Sequence, residues 1–330
     1  MERNPERILV IGANGQIGSE LTGALAARHG QDNVIAADLK PASAHAHSAG
    51  SSHYVQLDVL DRAHIATLVA EQRITQVYQL AALLSATGEQ APLRAWHLNM
   101  DGLLNILEVA RERADAGTPL RVFWPSSIAA FGPHTPKDGT AQHAVMDPTS
   151  IYGISKLAGE RLCEYYHARY GVDVRSIRYP GIISYKSPPG GGTTDYAIAI
   201  FHAALRGERY DCFLAQDQIL PMLYMPDAIR ATIELMDAPA HSITVRSAYN
   251  VAGMSFSPRE LALAIQSALP DFAIRYAPDA RQAIAASWPH SIDDSCARAD
   301  WGWAPRVTLG ELVDDMLEHV VVQASAVQPA

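Results

Sequence analysis

The chain has 330 residues, 48% of them hydrophobic and 18% charged, a balance typical of a soluble globular protein and unlike that of a disordered one. Lys and Arg number 26 against 35 Asp and Glu, a formal charge of -9, which argues against nucleic acid or an anionic membrane surface as the main partner. Cys163, Cys212 and Cys296 lie far apart and match neither a disulfide framework nor a ligand spacing.

No run of about 18 apolar residues is present, so no spanning helix is expected. Neither an apolar signal core nor an Arg/Ser-rich presequence precedes the first strand, and a reducing cytoplasm is the expected compartment. The 13 histidines form no ligand cluster, and no metal is expected.

Strand-like and helical patterns alternate through the first 180 residues. Residues 7–14 (RILVIGAN) read as a buried strand, continuous in apolar character as central parallel strands are. Ile17, Leu21 and Leu25 follow at helical spacing. Further strands are expected at 33–38, 53–58, 76–82, 121–127 and 173–180, with long helices at 93–113 and 152–170. The small, polar tract 41–53 (PASAHAHSAGSSH) reads as a surface loop that exposes His45 and His47. Such alternation predicts an α/β fold with a doubly wound parallel sheet of Rossmann type. A loop, SPPGGGTTD at 187–195, then breaks the pattern. Short elements are expected at 196–206, 226–236, 248–251, 258–269 and 309–321.

Gly12-Ala13-Asn14-Gly15-Gln16-Ile17-Gly18 stands directly after the first strand and opens a helix. Glycines there let backbone approach a pyrophosphate, and the helix N-terminus offers free N–H groups and positive dipole. A plain tight turn is the alternative, but the strand before and the helix after supply the context a dinucleotide fingerprint requires. Asp38 ends the second strand, twenty residues beyond Gly18. A carboxylate there accepts both ribose hydroxyls of an adenosine and repels a 2′-phosphate, which favours NAD over NADP. Lys40 is the counter-signal, since a cation accepts such a phosphate. Asp58 and Val59 end the third strand, where they either flank an adenine or cap the strand. The expected organisation is a dinucleotide-binding domain over 1–180, with elements near 220–251 returning to it. Residues 181–330 are mostly a smaller, interleaved substrate-binding lobe.

Tyr152-Gly153-Ile154-Ser155-Lys156 places a phenol and an ammonium on one helix face. A free phenol has a pKa of ~10, and bringing it to ~7 takes about 4 kcal/mol of differential stabilisation. A nearby ammonium and a cationic nicotinamide both favour the phenolate. With 13 Tyr and four Lys in the chain, roughly 0.16 such matches arise by chance. The pattern gains weight from its place: on the helix after a strand that ends in Ser126-Ser127, behind a dinucleotide fingerprint.

With these pieces the sequence resembles the extended short-chain dehydrogenase/reductase family across nearly its whole length. The matching segments are Gly12 to Gly18, Leu80-Ala81-Ala82, Asn99-Met100-Asp101-Gly102, Ser126-Ser127, Tyr152 to Lys156 and the run from Ala299 to Pro305. The resemblance implies that Tyr152 is the proton acceptor and Ser127 its hydroxyl partner on the substrate oxygen. Lys156 then binds the nicotinamide ribose and lowers the phenol pKa. Ser127 is preferred because Phe131-Gly132 follows it at the family's interval; Ser126 is the fallback. Implied cofactor contacts also include Leu39, Leu80, Ala81, Ala82, Asn99 and Tyr179.

Nucleotide-sugar members of the family usually read R-x-x-N-V-Y-G-P after the sixth strand. Here Arg178-Tyr179-Pro180-Gly181 stands instead, followed by Pro188-Pro189-Gly190-Gly191-Gly192-Thr193-Thr194-Asp195. This tract, Leu220 to Met225, Tyr249-Asn250 and Ser287-Trp288-Pro289 are similar to the L-threonine 3-dehydrogenase branch. That likeness implies NAD-dependent oxidation of the 3-hydroxyl of L-threonine to 2-amino-3-oxobutanoate, without zinc. The rivals are a nucleotide-sugar 4-epimerase or 4,6-dehydratase, which leaves no free NADH, and a non-catalytic NAD sensor, which needs no acid–base pair.

Read on their own residues, the glycines and Thr193, Thr194 and Asp195 form a loop entering a helix, and any of those three can cap it. Free N–H groups, Gly192 among them, can receive a small carboxylate, and a threonine hydroxyl adds a hydrogen bond. Ser85 faces the same space from the loop after Leu80-Ala81-Ala82. Trp288 is either an apolar wall or core packing. On the 93–113 helix, Asn99 binds backbone or water near the cofactor, while Asn105 and Glu108 read as a solvated face. A homodimer through the two long helices is expected, with Leu103, Leu104, Leu107, Leu157 and Cys163 either at that interface or packed inward.

Overall fold

The computed structural model describes residues 6–41, 53–190 and 192–320. The expected loop at 41–53, with His45 and His47, and Gly191 therefore fall largely or wholly outside the described residues.

Twelve strands are described. In chain order they are β1 (Ile8–Ile11), β2 (Val34–Asp38), β3 (His53–Gln56), β4 (Gln76–Gln79), β5 (Arg121–Ser127), β6 (Asp173–Tyr179), β7 (Gly181–Ile183), β8 (Tyr210–Cys212), β9 (Leu220–Tyr224), β10 (Tyr249–Asn250), β11 (Met254–Phe256) and β12 (Ile274–Tyr276). The helices are α1 (Gln16–His29), α2 (Arg62–Glu71), α3 (Ser85–Gln90), α4 (Pro92–Asp115), α5 (Ile151–Tyr170), α6 (Tyr196–Leu205), α7 (Met225–Asp237), α8 (Pro258–Ala268), α9 (Arg281–Ser287), α10 (Ser295–Trp301) and α11 (Leu309–His319).

Seven strands form one sheet in the order β10-β6-β5-β4-β1-β2-β3, and every pairing in it is parallel. The continuous apolar run of β1 is explained by burial on both faces. Ile8 and Val10 pack with Leu21 and Leu25 of α1 and Leu235 of α7. Leu9 and Ile11 point the other way, toward Leu103 and Ile106 of α4. The chain runs outward from β1 through β2 to β3, then crosses back to β4 on the other side of β1. Ligands of doubly wound sheets bind outside the carboxyl ends of the strands at such a reversal.

The expected strand at 76–82 ends at Gln79, and one further bond to β1, from Leu80 N to Ile11 O at 2.8 Å, follows it. Of the expected segment 248–251, only Tyr249–Asn250 pairs, and it returns to the main sheet beside β6. β9 instead joins β7 and β11 in a separate three-stranded sheet, and β8 pairs with β12. Around these lies a second core that holds Tyr196, Phe201, Met222, Trp288 and Leu312. Among the described residues no helix is long and apolar enough to cross a membrane.

Candidate active site

The glycine turn is built by close approach. Gly12 has φ +87°, and a Cβ there would stand 2.7 Å from Ala81 N, so the β1 turn lies directly against the β4 turn. Residue Gly15 caps α1 without a side-chain bond, and the first turn of α1 carries no acidic residue. Its opening N–H groups are left for an anion, as a dinucleotide pyrophosphate requires. Asp38, at the end of β2, accepts from Asn14 N at 3.0 Å and from Lys40 N at 3.1 Å. Asn14 Nδ2 donates to Tyr54 Oη at 2.9 Å. An uncapped helix start beside an aimed carboxylate fits the diphosphate and ribose of NAD.

Asn99 holds the turn after β4. Its Oδ1 accepts from Leu83 N at 2.8 Å, and its Nδ2 donates to Leu83 O at 3.1 Å and Ser155 Oγ at 3.3 Å. Its partners are thus the Leu83 backbone and the Ser155 hydroxyl. Ser85 follows as the first residue of α3. Leu39 is exposed.

Three groups of residues expected at this end of the sheet have defined partners. Asp58 is exposed and its Oδ1 accepts from Leu60 N at 2.9 Å, while the Val59 side chain is buried in the core. Asp58 therefore caps the strand end, the second of the two roles expected of it, and its exposed side chain leaves the first open to an adenine. Asn105 and Glu108 do not form a solvated face. Asn105 donates to Val59 O at 3.0 Å, and Glu108 accepts from Tyr166 Oη at 2.7 Å and from Arg111. Tyr179 turns its ring against Phe123 and pairs its hydroxyl with Thr232, so only its backbone remains for a cofactor. It still marks the place, since it stands in register with Ser127.

Ser127 and Tyr152 meet at the carboxyl end of β5. The Ser127 hydroxyl lies near enough to the Tyr152 phenol to favour its charged form, and Ser127 Oγ accepts from Ala129 N at 3.1 Å. The approach depends on Gly153, where a Cβ would stand 2.1 Å from Ala129 O. No other residue lets α5 start so close to the turn after β5. Neighbouring Ser126 points to the opposite side of the strand and donates to Glu160 Oε1 at 2.6 Å. The fallback serine is therefore engaged elsewhere.

Lys156 stands one turn along α5. Its Nζ donates to Pro125 O at 2.7 Å, 4.6 Å from the Trp124 ring centre and 5.4 Å from that of Tyr152. Burial pulls the ammonium down to about 7, against the pull of Cys163 and Glu160. Burial likewise pushes the Tyr152 phenol up to about 12, with the Ser127 hydroxyl acting against it. Desolvation disfavours the charged form of each group, so burial opposes the phenolate that the Lys156 charge is expected to favour.

The loop before α6 also departs from expectation. Asp195 Oδ2 accepts from Gly190 N at 2.6 Å and from Gly192 N at 2.8 Å. Those N–H groups are satisfied within the loop and are not free for a substrate carboxylate. Asp195 occupies the cap position of α6 without capping it. Thr193 is buried, and Thr194 packs so close to Gly181 that a Cβ there would stand 2.6 Å from Thr194 Cγ2. Trp288 is core packing, buried with Ile128, Ala129 and Phe131 of the turn after Ser127. Tyr152 packs on the edge of the same core.

The sequence reading missed Pro125, Glu160 and Gly153. Only Glu160 left a signal, eight residues after Tyr152 and four after Lys156 on one helix face.

The geometry has close counterparts. Residues 8–252 match the model of the NAD dependent epimerase/dehydratase family. A mitochondrial L-threonine 3-dehydrogenase of Bos taurus is 45% identical over 317 residues, covering 96% of this chain and 83% of the relative. The holo form of a GalE-like L-threonine dehydrogenase from Cupriavidus necator has a TM-score of 0.90 at 61% identity, covering 94% of this chain and 99% of that one. L-threonine dehydrogenase from Clostridium difficile has a TM-score of 0.92 at 43% identity, covering 96% and 98%. A Rossmann sheet with its glycine turn, a Ser-Tyr-Lys group at the strand ends and these likenesses agree: the chain belongs to the NAD dependent epimerase/dehydratase family of extended short-chain dehydrogenases, and it uses NAD.

Proposed function

We propose that the chain is an L-threonine 3-dehydrogenase that oxidises the 3-hydroxyl of L-threonine to the ketone of 2-amino-3-oxobutanoate. The gathering of Ser127, Tyr152 and Lys156 at the carboxyl edge of β5 carries this reading, beside identities of 43% to 61% to L-threonine dehydrogenases. Tyr152 takes the hydroxyl proton as C3 loses its hydrogen with the bonding pair. Ser127 donates to the substrate oxygen and holds it against Tyr152. NAD, when bound, supplies the acceptor for that hydrogen and a cationic ring that favours the phenolate. Lys156 adds a positive charge on the same helix face.

Gly12, Asn14, Gly15, Gln16, Ile17 and Gly18 hold the pyrophosphate, and Asp38 the adenosine ribose. Ser85, Thr193, Thr194 and the wall backed by Trp288 bound the amino-acid end. Residues 181–330, except α7 and β10, which return to the main sheet, serve as the substrate lobe.

The chain works as a cytoplasmic homodimer in this reading. Leu103, Leu107 and Cys163 are fully buried and pack inward, so they are not the contact surface. Leu93 and Trp96 on α4 and Ile154 and Tyr165 on α5 are exposed and form it. A neighbour from a metagenome is described as monomeric; sedimentation of wild type and Trp96→Glu discriminates.

The deciding experiment supplies NAD with L-threonine, D-threonine, L-serine or UDP-glucose and follows NADH. Accumulation with L-threonine alone is expected. No NADH with any of them, together with conversion of UDP-glucose, would establish the epimerase reading instead.

A further inference from the structure

Behind the Ser127–Tyr152 pair lies a polar network with no part in proton transfer. Glu160 and Arg178 are both buried, with side-chain exposures of 0% and 2%. Arg178 Nη2 donates to Glu160 Oε2 at 2.7 Å, and Arg178 Nε to Glu160 Oε1 at 2.9 Å. Ser126 Oγ donates to the same Oε1 at 2.6 Å. Arg178 Nη1 continues to Gln142 O at 2.9 Å and Asn250 Oδ1 at 3.0 Å. Arg178 Nη2 also donates to Met146 Sδ at 3.6 Å, so all five guanidinium donors and both carboxylate oxygens are engaged, across α5, β5, β6 and β10.

A buried ion pair is weak evidence for stability, because desolvation opposes its Coulomb gain and apolar replacements are often no less stable. Geometry offers a reason for this one. Three consecutive residues at the end of β5 are each tied to one face of α5. Ser127 meets Tyr152, Pro125 O accepts from Lys156, and Ser126 donates to Glu160. The partners on α5 are spaced by four residues, one helical turn. Sliding the helix along the strand would break all three together.

We propose that Ser126, Glu160 and Arg178 are positioning residues that set the height of Ser127 against Tyr152 for the dehydrogenation. This rests on the reading of the site as an L-threonine dehydrogenase. A network of this kind acts on transition-state alignment and leaves the cofactor turn, on β1 and α1, alone. A misplacement of about 1 Å far from the chemistry can lower turnover roughly a hundredfold.

The test uses the NAD-bound full chain as wild type, Ser126→Ala, Ser126→Thr and Glu160→Gln, with L-threonine carrying hydrogen or deuterium at C3. In Ser126→Ala, kcat should fall roughly tenfold to a hundredfold, the isotope effect on kcat should rise, and NAD affinity should stay at the wild-type value. Ser126→Thr keeps the hydroxyl and should recover most of kcat. Glu160→Gln keeps an acceptor for Ser126 but leaves Arg178 unpaired, and should show the same signature with a lower melting temperature. Wild-type kcat and isotope effect in Ser126→Ala overturn the proposal, as does a loss of kcat that only tracks loss of folded protein. If wild type yields no NADH from L-threonine, the functional reading fails by itself. The network is then read from ultraviolet titration of Tyr152, isolated by difference from Tyr152→Phe. A shifted Tyr152 titration in Ser126→Ala supports the network, and an unshifted one overturns it.

Discussion

The Lys156 ammonium donates to the Pro125 carbonyl at 2.7 Å. The charge expected to acidify Tyr152 is thus held on the strand that carries Ser127. Lysine and tyrosine lie on one helix face, but burial pushes the phenol up to about 12 and the ammonium down to about 7. Burial thus opposes the charged form of both groups, and the positive charge that arrives with NAD favours the phenolate.

Replacing Tyr152 with Phe removes the proton acceptor and little else. Turnover should fall roughly a hundredfold to ten-thousandfold, while NAD binding, followed by fluorescence titration, is kept. Steady-state kinetics on the purified variant checks this, and retained turnover removes Tyr152 from the mechanism.

Lys156 makes a stability prediction with a definite sign. Its folded pKa, about 7, lies below the usual lysine value of 10.5. Between these values the unfolded chain binds more protons, so this residue makes wild-type stability rise with pH across that window. The burden of burying the charge is complete below pH 7 and gone above about 10. Lys156→Met should lose activity, and its stability relative to wild type should be greatest at low pH and decline from pH 7 to 10. Denaturant melts at several pH values read this out; a constant difference contradicts it.

Asp38 should govern cofactor choice. The carboxylate stands at the end of β2, bonded to Asn14 N, where it repels a 2′-phosphate. Asp38→Ser should raise the KM for NAD roughly tenfold to a hundredfold and raise kcat/KM for NADP, with Lys40 present to receive the phosphate. The ratio of kcat/KM for the two cofactors is the measurement, and an unchanged ratio excludes the role.

Gly153 has no room for a side chain, since its Cβ would stand 2.1 Å from Ala129 O. Backbone cannot move aside as a flexible side chain does. Gly153→Ala should cost about 1–3 kcal/mol of stability and lower kcat more than NAD affinity, because Tyr152 is the adjacent residue. Melting curves and single-turnover rates together test the pair of effects.

Much of the fold was legible because its signals are local. Strand β5 spans the residues expected of it, and α5 begins one residue early. Both carry long, consistent patterns. Strands of three residues, such as β7, β8 and β12, are too short to show a period and went unseen. Asn105 and Glu108 look like surface polar residues in sequence, yet each is bound to a group distant along the chain, the Val59 carbonyl and the Tyr166 hydroxyl. In the glycine loop before α6, polar sequence likewise does not tell that the Asp195 carboxylate accepts from the Gly190 and Gly192 N–H groups.

By itself the sequence determined what depends on neighbours a few residues apart: the faces of β1, the turn from Gly12 to Gly18 and the alignment of Tyr152 with Lys156. Chain geometry imposes these wherever the segment folds. Tertiary structure alone decided what engages Ser126, where the Lys156 ammonium points and how burial shifts each group. Hydrogen-bond partners and desolvation come from residues far along the chain, and no local pattern encodes how deeply a group will be buried.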